Sequence, residues 1–431
     1  VPLVPFNTAF GNRTSSSPWL LRSITGQKAS REEIKDMHRR DFVKSACVAA
    51  VIAAGDGVWY TFDNGVLRAE DNPAYSSWSR WNADGEPRPL KLVRSAILAS
   101  SPHNTQPWRF RVADSFVELY LEASRSVPGL DPYLREAHIG MGCALENLLL
   151  AASANGYTAR ITLEDGRLDD QAQQPPLRLV ARIDLSPGAP QPSPLYDAIP
   201  NRHTNRSIYD PSRELPSGFA SELSSLCQVD DDARIFLFDQ DAQRNELTRI
   251  SSSANFELYS DPAVENGSEQ WIRWRAAEAR KIKDGLTIDT FGLPPFTTAI
   301  AKMSPTWMLK RAASPSHRSA MYEKQMQSGR LIAIIAVRDR LSKQQSLHAG
   351  RIWQRAHLLV TSRGLAARPC NEAIEMIDHE RALGQPPRRQ EALASVTHDP
   401  AWQPTFLFFM GYPTLPAHPS PRRPVESVTI S

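Results

Sequence analysis

The chain carries only 4 cysteines in 431 residues, Cys47, Cys143, Cys227 and Cys370. They are widely scattered, form no CxxC pair and stand at no metal-ligand spacing from histidine, so neither a disulfide framework nor a zinc site is encoded. Long runs of like charge are missing as well. The 50 basic and 47 acidic residues leave a formal charge of +3, which gives nucleic acid no electrostatic footprint to follow. Gly140 and Gly142 invite a dinucleotide-fold reading, but the third glycine and the distal acidic residue are absent. The two glycines are read instead as places where two helices approach closely. His138, His348, His357 and His379 lack HExxH or related spacing, and structural roles are assigned to them.

An apolar run long enough for a confident membrane span is also lacking. The nearest approach is "MHRRDFVKSACVAAVIAAG", where Arg39 and Arg40 precede Phe42, Lys44 and about eleven small, mostly apolar residues. That layout has two readings, a twin-arginine export signal or a buried helix with a solvated basic flank. The expected organisation is an upstream extension over 1–36, a signal or anchor over 37–60 and an extended arm over 61–89. On the export reading the location is periplasmic or cell-envelope, with the export machinery as partner; otherwise it is cytoplasmic.

What is present is enough apolar sequence, 41%, for two globular units. "PLKLVRSAILAS" is spaced as a helix with one buried face. After the loop "SSPHNTQPWRF" come two alternating segments about a short polar turn, "WRFRVADSFVELYL", which read as a hairpin. "HIGMGCALENLLLAASANGY" is apolar nearly all round and reads as a central buried helix. Strands at "ARITL" and "LRLVARIDL" complete a first unit over 90–199. A second unit, 200–431, has an opening helix, strands at "RIFLF", "LIAIIAV" and "PTFLFFMGYP", and a surplus over about 262–328 that is a candidate lid. Residues 147–160 align without gaps on 355–368, with identities at 150/358, 156/364, 159/367 and 160/368, which suggests internal duplication.

Two basic clusters stand out. "NRHTNR" sets Arg202, Thr204 and Arg206 on alternate residues, so an extended chain aims all three one way, as a phosphate monoester would require; the alternative is a solvated turn. "PRRP" adds Arg422 and Arg423.

Together, "SSPHNTQPWRF", the "GxxxENLLLAAxxxG" helix, "RHTNR" and the terminal "MGYP...RRPVE" resemble the nitroreductase family of FMN flavoproteins, and more closely its tandem, Acg-type branch. The resemblance implies an α+β nitroreductase fold in which two fused units, each a mostly antiparallel sheet flanked by helices, form an intramolecular pseudo-dimer. It further implies a monomer with one FMN between its halves, since unit one keeps the loop and unit two the arginines. Arg202, Thr204 and Arg206, with Arg422 or Arg423, would bind the phosphate. Ser101, Pro102, His103, Asn104 and Gln106 would line the isoalloxazine. Pro369, Cys370 and Asn371 match the segment whose backbone faces flavin N5, although the family usually has an acidic residue at or beside Asn371.

The activity so implied is two-electron transfer through N5, from NADH or NADPH, to a small-molecule acceptor such as a nitroaromatic, a quinone or a similar conjugated compound, with no obligatory catalytic side chain. The alternative is a flavin-binding or sequestering protein whose lid bars nicotinamide turnover. Trp108 is expected in the core, and Cys370 is not assigned as a redox thiol.

Overall fold

The computed structural model describes residues 72–82, 88–169, 175–227 and 232–430. The 37–60 segment expected to be a signal or anchor lies outside them. Among the described residues no helix is long and apolar enough to cross a membrane. The stretch expected to be an extended arm is partly helical, with turns at Pro73–Tyr75 and Ser76–Ser79 that bury Ala74 and Trp78. Asn72 caps this segment by accepting a hydrogen bond from the Ala74 N–H, a local gain that sequence periodicity does not register.

The amphipathic helix α1 (Arg88–Ala96) leads through the 100–107 loop into the expected hairpin, β1 (Trp108–Ala113) and β2 (Phe116–Glu122). Trp108 is fully buried. Helix α2 (Arg135–Ala154) is buried along most of its length, as an all-round apolar sequence demands. Strands β3 (Tyr157–Leu163) and β4 (Leu177–Pro187) follow.

The remainder of the chain supplies β5 (Ala233–Phe238) and α3 (Asp241–Ser260). The surplus segment is largely helical, with α4 (Pro262–Glu269), α5 (Ala276–Ile282), α6 (Pro295–Met303), α7 (Thr306–Ala312) and α8 (Pro315–Gln327). Pro262, Pro295 and Pro315 sit at the first turns of α4, α6 and α8, where a missing N–H costs nothing, and Pro305 is the N-cap residue of α7. Then come β6 (Leu331–Val337), α9 (Lys343–Ser362), β7 (Ala366–Pro369), α10 (Glu372–Ala382), α11 (Arg388–Thr397) and β8 (Gln403–Pro413). The short strand β9 (Thr429–Ile430) follows.

The architecture is α+β, with mixed sheets flanked by helices. One sheet runs β9-β1-β2-β4-β3 and a second β7-β8-β6-β5, beside a two-stranded parallel pair of Ile272–Arg273 with Leu286–Thr287. The second is antiparallel throughout, and its interior strand β6 is buried at every residue. In the first, β9 lies parallel to β1, with Phe110 opposite Thr429. The carboxyl-terminal segment therefore leaves the second sheet and edges the first.

Between the sheets α2 and α9 pack together at two glycines. A Cβ on Gly142 would stand 2.1 Å from Leu347 O, and one on Gly350 would stand 2.0 Å from Ile139 O. The close approach expected of Gly142 is therefore made, with Gly350 as its counterpart. The two are 208 positions apart, the same offset that aligns 150 with 358. A single apolar cluster joins Phe110 and Leu119 of the first sheet, through Leu145 and Trp353 of these helices, to Ile335 and Phe408 of the second.

Candidate functional site

The loop between α1 and β1 is held in a costly conformation. His103, Asn104 and Gln106 all take positive φ, at 47°, 56° and 52°, worth about 1–3 kcal/mol of strain each for non-glycine residues. Their surroundings fix them there. Asn104 Nδ2 donates to Gly285 O and to Pro421 O, both at 2.9 Å, and its Oδ1 accepts from Arg422. Gln106 Nε2 donates to Lys283 O at 3.0 Å, while its Oε1 accepts from the Arg423 N–H at 2.7 Å. His103 Nε2 bonds Ser268 Oγ at 2.8 Å. Burial holds the His103 imidazole down to about 4, so it is neutral near pH 7. The loop is thus pinned between the 262–328 segment and the 421–423 segment. It can lie flat on α2 because Gly140 has no side chain: a Cβ there would meet Pro102 Cδ at 3.2 Å.

The loop forms part of the wall of a cavity of about 210 Å³. Arg202 and Arg422 reach it from distant parts of the chain, and both are buried. Arg202 donates to Ser100 Oγ and Leu98 O, each at 2.9 Å, and Arg422 donates to Ala99 O at 3.2 Å. Their guanidiniums lie 5.9 Å and 4.6 Å from the Trp78 ring centre, within cation–π range. Neither forms an ion pair with a carboxylate among the described residues, and the Nε of each is buried without a hydrogen-bond partner. Burial lowers Arg202 to about 10, and burial with the neighbouring Arg202 charge lowers Arg422 well below its usual value. Two buried, mutually repelling cations with unused donors suit an anion.

A buried acidic cluster lies at another part of the wall. Glu136 and Glu375, from α2 and α10, both line the cavity and are nearly inaccessible. Burial raises Glu136 to about 7 and Glu375 well above the ordinary carboxyl range, against the opposing pull of Arg135. Arg135 is shared: its Nε donates to Asp378 Oδ2 at 2.7 Å, both groups being fully buried, and its Nη2 makes a longer contact of 3.4 Å to Glu136 Oε1. Asn371 Nδ2 donates to Glu136 Oε1 at 2.9 Å, and its Oδ1 accepts from the Leu407 N–H at 2.7 Å. A carboxyl pair facing each other in this setting keeps a proton at neutral pH.

Ten of the thirteen residues expected at a cofactor site line this cavity. Ser101, Pro102, His103 and Asn104 come from the loop, and Arg202, Thr204 and Arg206 from the basic segment; Pro369, Asn371 and Arg422 complete them. The other three stand behind the wall. Gln106 and Arg423 hold the loop, with Arg423 Nη1 on Gln106 O at 3.1 Å. Cys370 is fully buried, its N–H donates to Leu407 O at 2.8 Å, and burial raises its thiol well above the ordinary range. Sequence reasoning missed Trp78, Glu136 and Glu375. Trp78 lies in the expected arm, Glu136 precedes the stretch read as the buried helix, and Glu375 stands on a helix that was not among the expected elements.

No protein-family model matches the chain. It is 34% identical over 120 residues to a Mycobacterium tuberculosis protein named "Putative NAD(P)H nitroreductase", an alignment covering 27% of this chain and 33% of that one. The M. tuberculosis protein of the same name designated acg is 38% identical over 95 residues, covering 22% and 27% of the two chains. These alignments span a third or less of the relatives' own length. An uncharacterized M. tuberculosis protein is 25% identical over 350 residues, covering 78% of this chain and 92% of that one. Among solved structures, the FMN-dependent nitroreductase NfnB of Mycobacterium smegmatis, in complex with NADPH, superposes with a TM-score of 0.35 at 12% identity, covering 55% of this chain and 97% of that one. That superposition is too loose to carry an argument. The sequence similarities link the chain, at the family level, to nitroreductase-like oxidoreductases.

Proposed function

We propose that the protein is an FMN-dependent oxidoreductase of the nitroreductase type, two fused units enclosing one flavin in a monomer that imitates a dimer. The observation that carries this reading is the pair of buried arginines, Arg202 and Arg422, which line the cavity and lack carboxylate partners among the described residues, each with a buried Nε that has no hydrogen-bond partner. They fit a phosphate monoester, with the Thr204 hydroxyl beside them. The 101–104 loop and Ile139 would flank the ring system.

Bound there, FMN supplies two-electron hydride chemistry between a reduced nicotinamide and a nitroaromatic, quinone or similar conjugated acceptor. The chain's own residues bind, orient and shield. The arginines neutralise the phosphate, and the pinned loop keeps its shape without reorganising when the ligand arrives. Glu136 and Glu375 hold a proton at the wall of the same cavity.

Purified protein titrated with FMN should develop a bound-flavin absorbance band that Arg202→Ala/Arg422→Ala abolishes. Anaerobic NADPH or NADH should bleach it. A band that forms but resists both nucleotides would favour flavin sequestration under a closed lid. Failure to take up FMN at all would sink both readings.

A further inference from the structure

A second cavity, of about 320 Å³, adjoins the first. The two share His103, Arg206, Tyr259, Leu286, Arg368 and Glu372. Beyond that neck the walls come chiefly from the 262–328 segment and are apolar, with Ile272, Ile288, Phe291, Leu309 and Met321 among them. A free inorganic anion or a sugar would find little to hold there.

Charge is concentrated at one part of the chamber. Arg206, Arg318 and Arg368 face a single carboxylate, Glu372. Among the described residues none of the three guanidiniums forms an ion pair, and each donates to one neutral oxygen: Arg206 to Thr290 O at 3.2 Å, Arg318 to Ala313 O at 2.7 Å, and Arg368 to Gln325 Oε1. Five donors per guanidinium leave most of them unspent. Tyr322, only 2% exposed, also lines the chamber and its hydroxyl has no hydrogen-bond partner. The excess of cationic donors and the apolar walls together ask for a ligand that has both characters.

We propose that this chamber binds an amphipathic organic anion, an apolar or aromatic body bearing one carboxylate or equivalent acidic head, with the head among Arg206, Arg318 and Arg368 and the body against Ile288, Phe291 and Leu309. The roof is consistent with the passage of such a body. Helices α6 and α7 turn Ala301 and Leu309 inward, while Phe296 and Trp307 remain 56% and 65% exposed on the outside. With FMN in the first cavity this chamber would hold the acceptor, a role that rests on the flavin reading above; ligand binding does not.

The test is calorimetric titration of the full chain, with and without FMN, using 4-phenylbutyrate and its uncharged isostere 4-phenylbutanol. The acid should bind about tenfold or more tightly than the alcohol, as a charge-assisted contact predicts. Arg318→Met should remove that preference while leaving the alcohol's affinity and the FMN band in place. Ala301→Phe, which fills the apolar part, should weaken both probes. Equal affinity for acid and alcohol, or no binding of either to the wild-type protein, overturns the proposal, and neither outcome depends on a variant folding. Uptake of FMN without binding of the acid would sink this inference alone. Selective binding of the acid by protein that takes up no FMN would instead sink the functional reading.

Discussion

Glu136 and Glu375 make the site sensitive to pH in a direction that can be worked out. A buried carboxyl whose value is raised to about 7, as at Glu136, holds its proton in the folded chain where the unfolded chain has already lost it. Stability from that group is present at low pH and declines as pH rises from the ordinary carboxyl range through about 7. His103 and His203, held down to about 4 and about 3, act oppositely and favour the folded state as pH rises, so the useful quantity is a difference. Relative to wild type, flavin-free Glu375→Gln should gain thermal stability between about pH 5 and about pH 8; an unchanged difference across that range would refute the shared-proton assignment. At the arginines, single replacement of Arg202 or Arg422 by Ala should weaken FMN binding by about 1.5–3 kcal/mol, roughly ten- to a hundredfold, in a fluorescence titration. These residues differ in how legible they were. "NRHTNR" suggests an anion site because Arg202, Thr204 and Arg206 stand on alternate residues, whereas Glu136 gives no local sign of a partner that comes from 239 residues away.

Among the elements, the α2–α9 contact is the most exacting. Gly142→Ala or Gly350→Ala would drive a methyl group into backbone, at 2.1 Å and 2.0 Å from a carbonyl oxygen, and backbone cannot rotate aside as a side chain can. Each should cost more than the roughly 1–3 kcal/mol typical of overpacking, read as a lower urea midpoint. FMN affinity should fall with it, because Ile139 and Trp353 on these helices line the cavity. Gly364→Ala makes a useful contrast: no atom lies within 4 Å of its added Cβ, and only its φ of 68° penalises the change. Helix α2 and the β6 and β8 strands were readable because their apolar runs and burial agree, whereas the equally long α3 and α9 were not among the expected elements. The inserted segment was not readable either. Its apolar residues line a chamber and stay partly exposed, so the composition looks too polar for core even though Val264, Tyr322 and Met326 are buried.

At the scale of the whole molecule, the described residues belong to one compact unit, and the apolar cluster crosses from one sheet to the other without a break. The fused-pair proposal predicts one FMN per chain and a mass near 48.1 kDa by light scattering; two flavins per chain would contradict it. The sequence revealed two sheets' worth of strands but not that β9 belongs to the first. A two-residue strand has no periodicity to detect, and its partner lies more than three hundred positions back.

That return of the chain has a consequence for synthesis. The 420–430 segment supplies Arg422 to the cavity, Pro421 to the loop's clamp and β9 to the first sheet, and a ribosome makes it after everything it touches. While it remains in the exit tunnel, β1 has an unpaired edge and the 101–106 loop has lost one of its two anchors. Nascent chains should therefore lack the completed loop clamp and the paired edge of β1 until the 420–430 segment emerges, however much of both sheets has already formed.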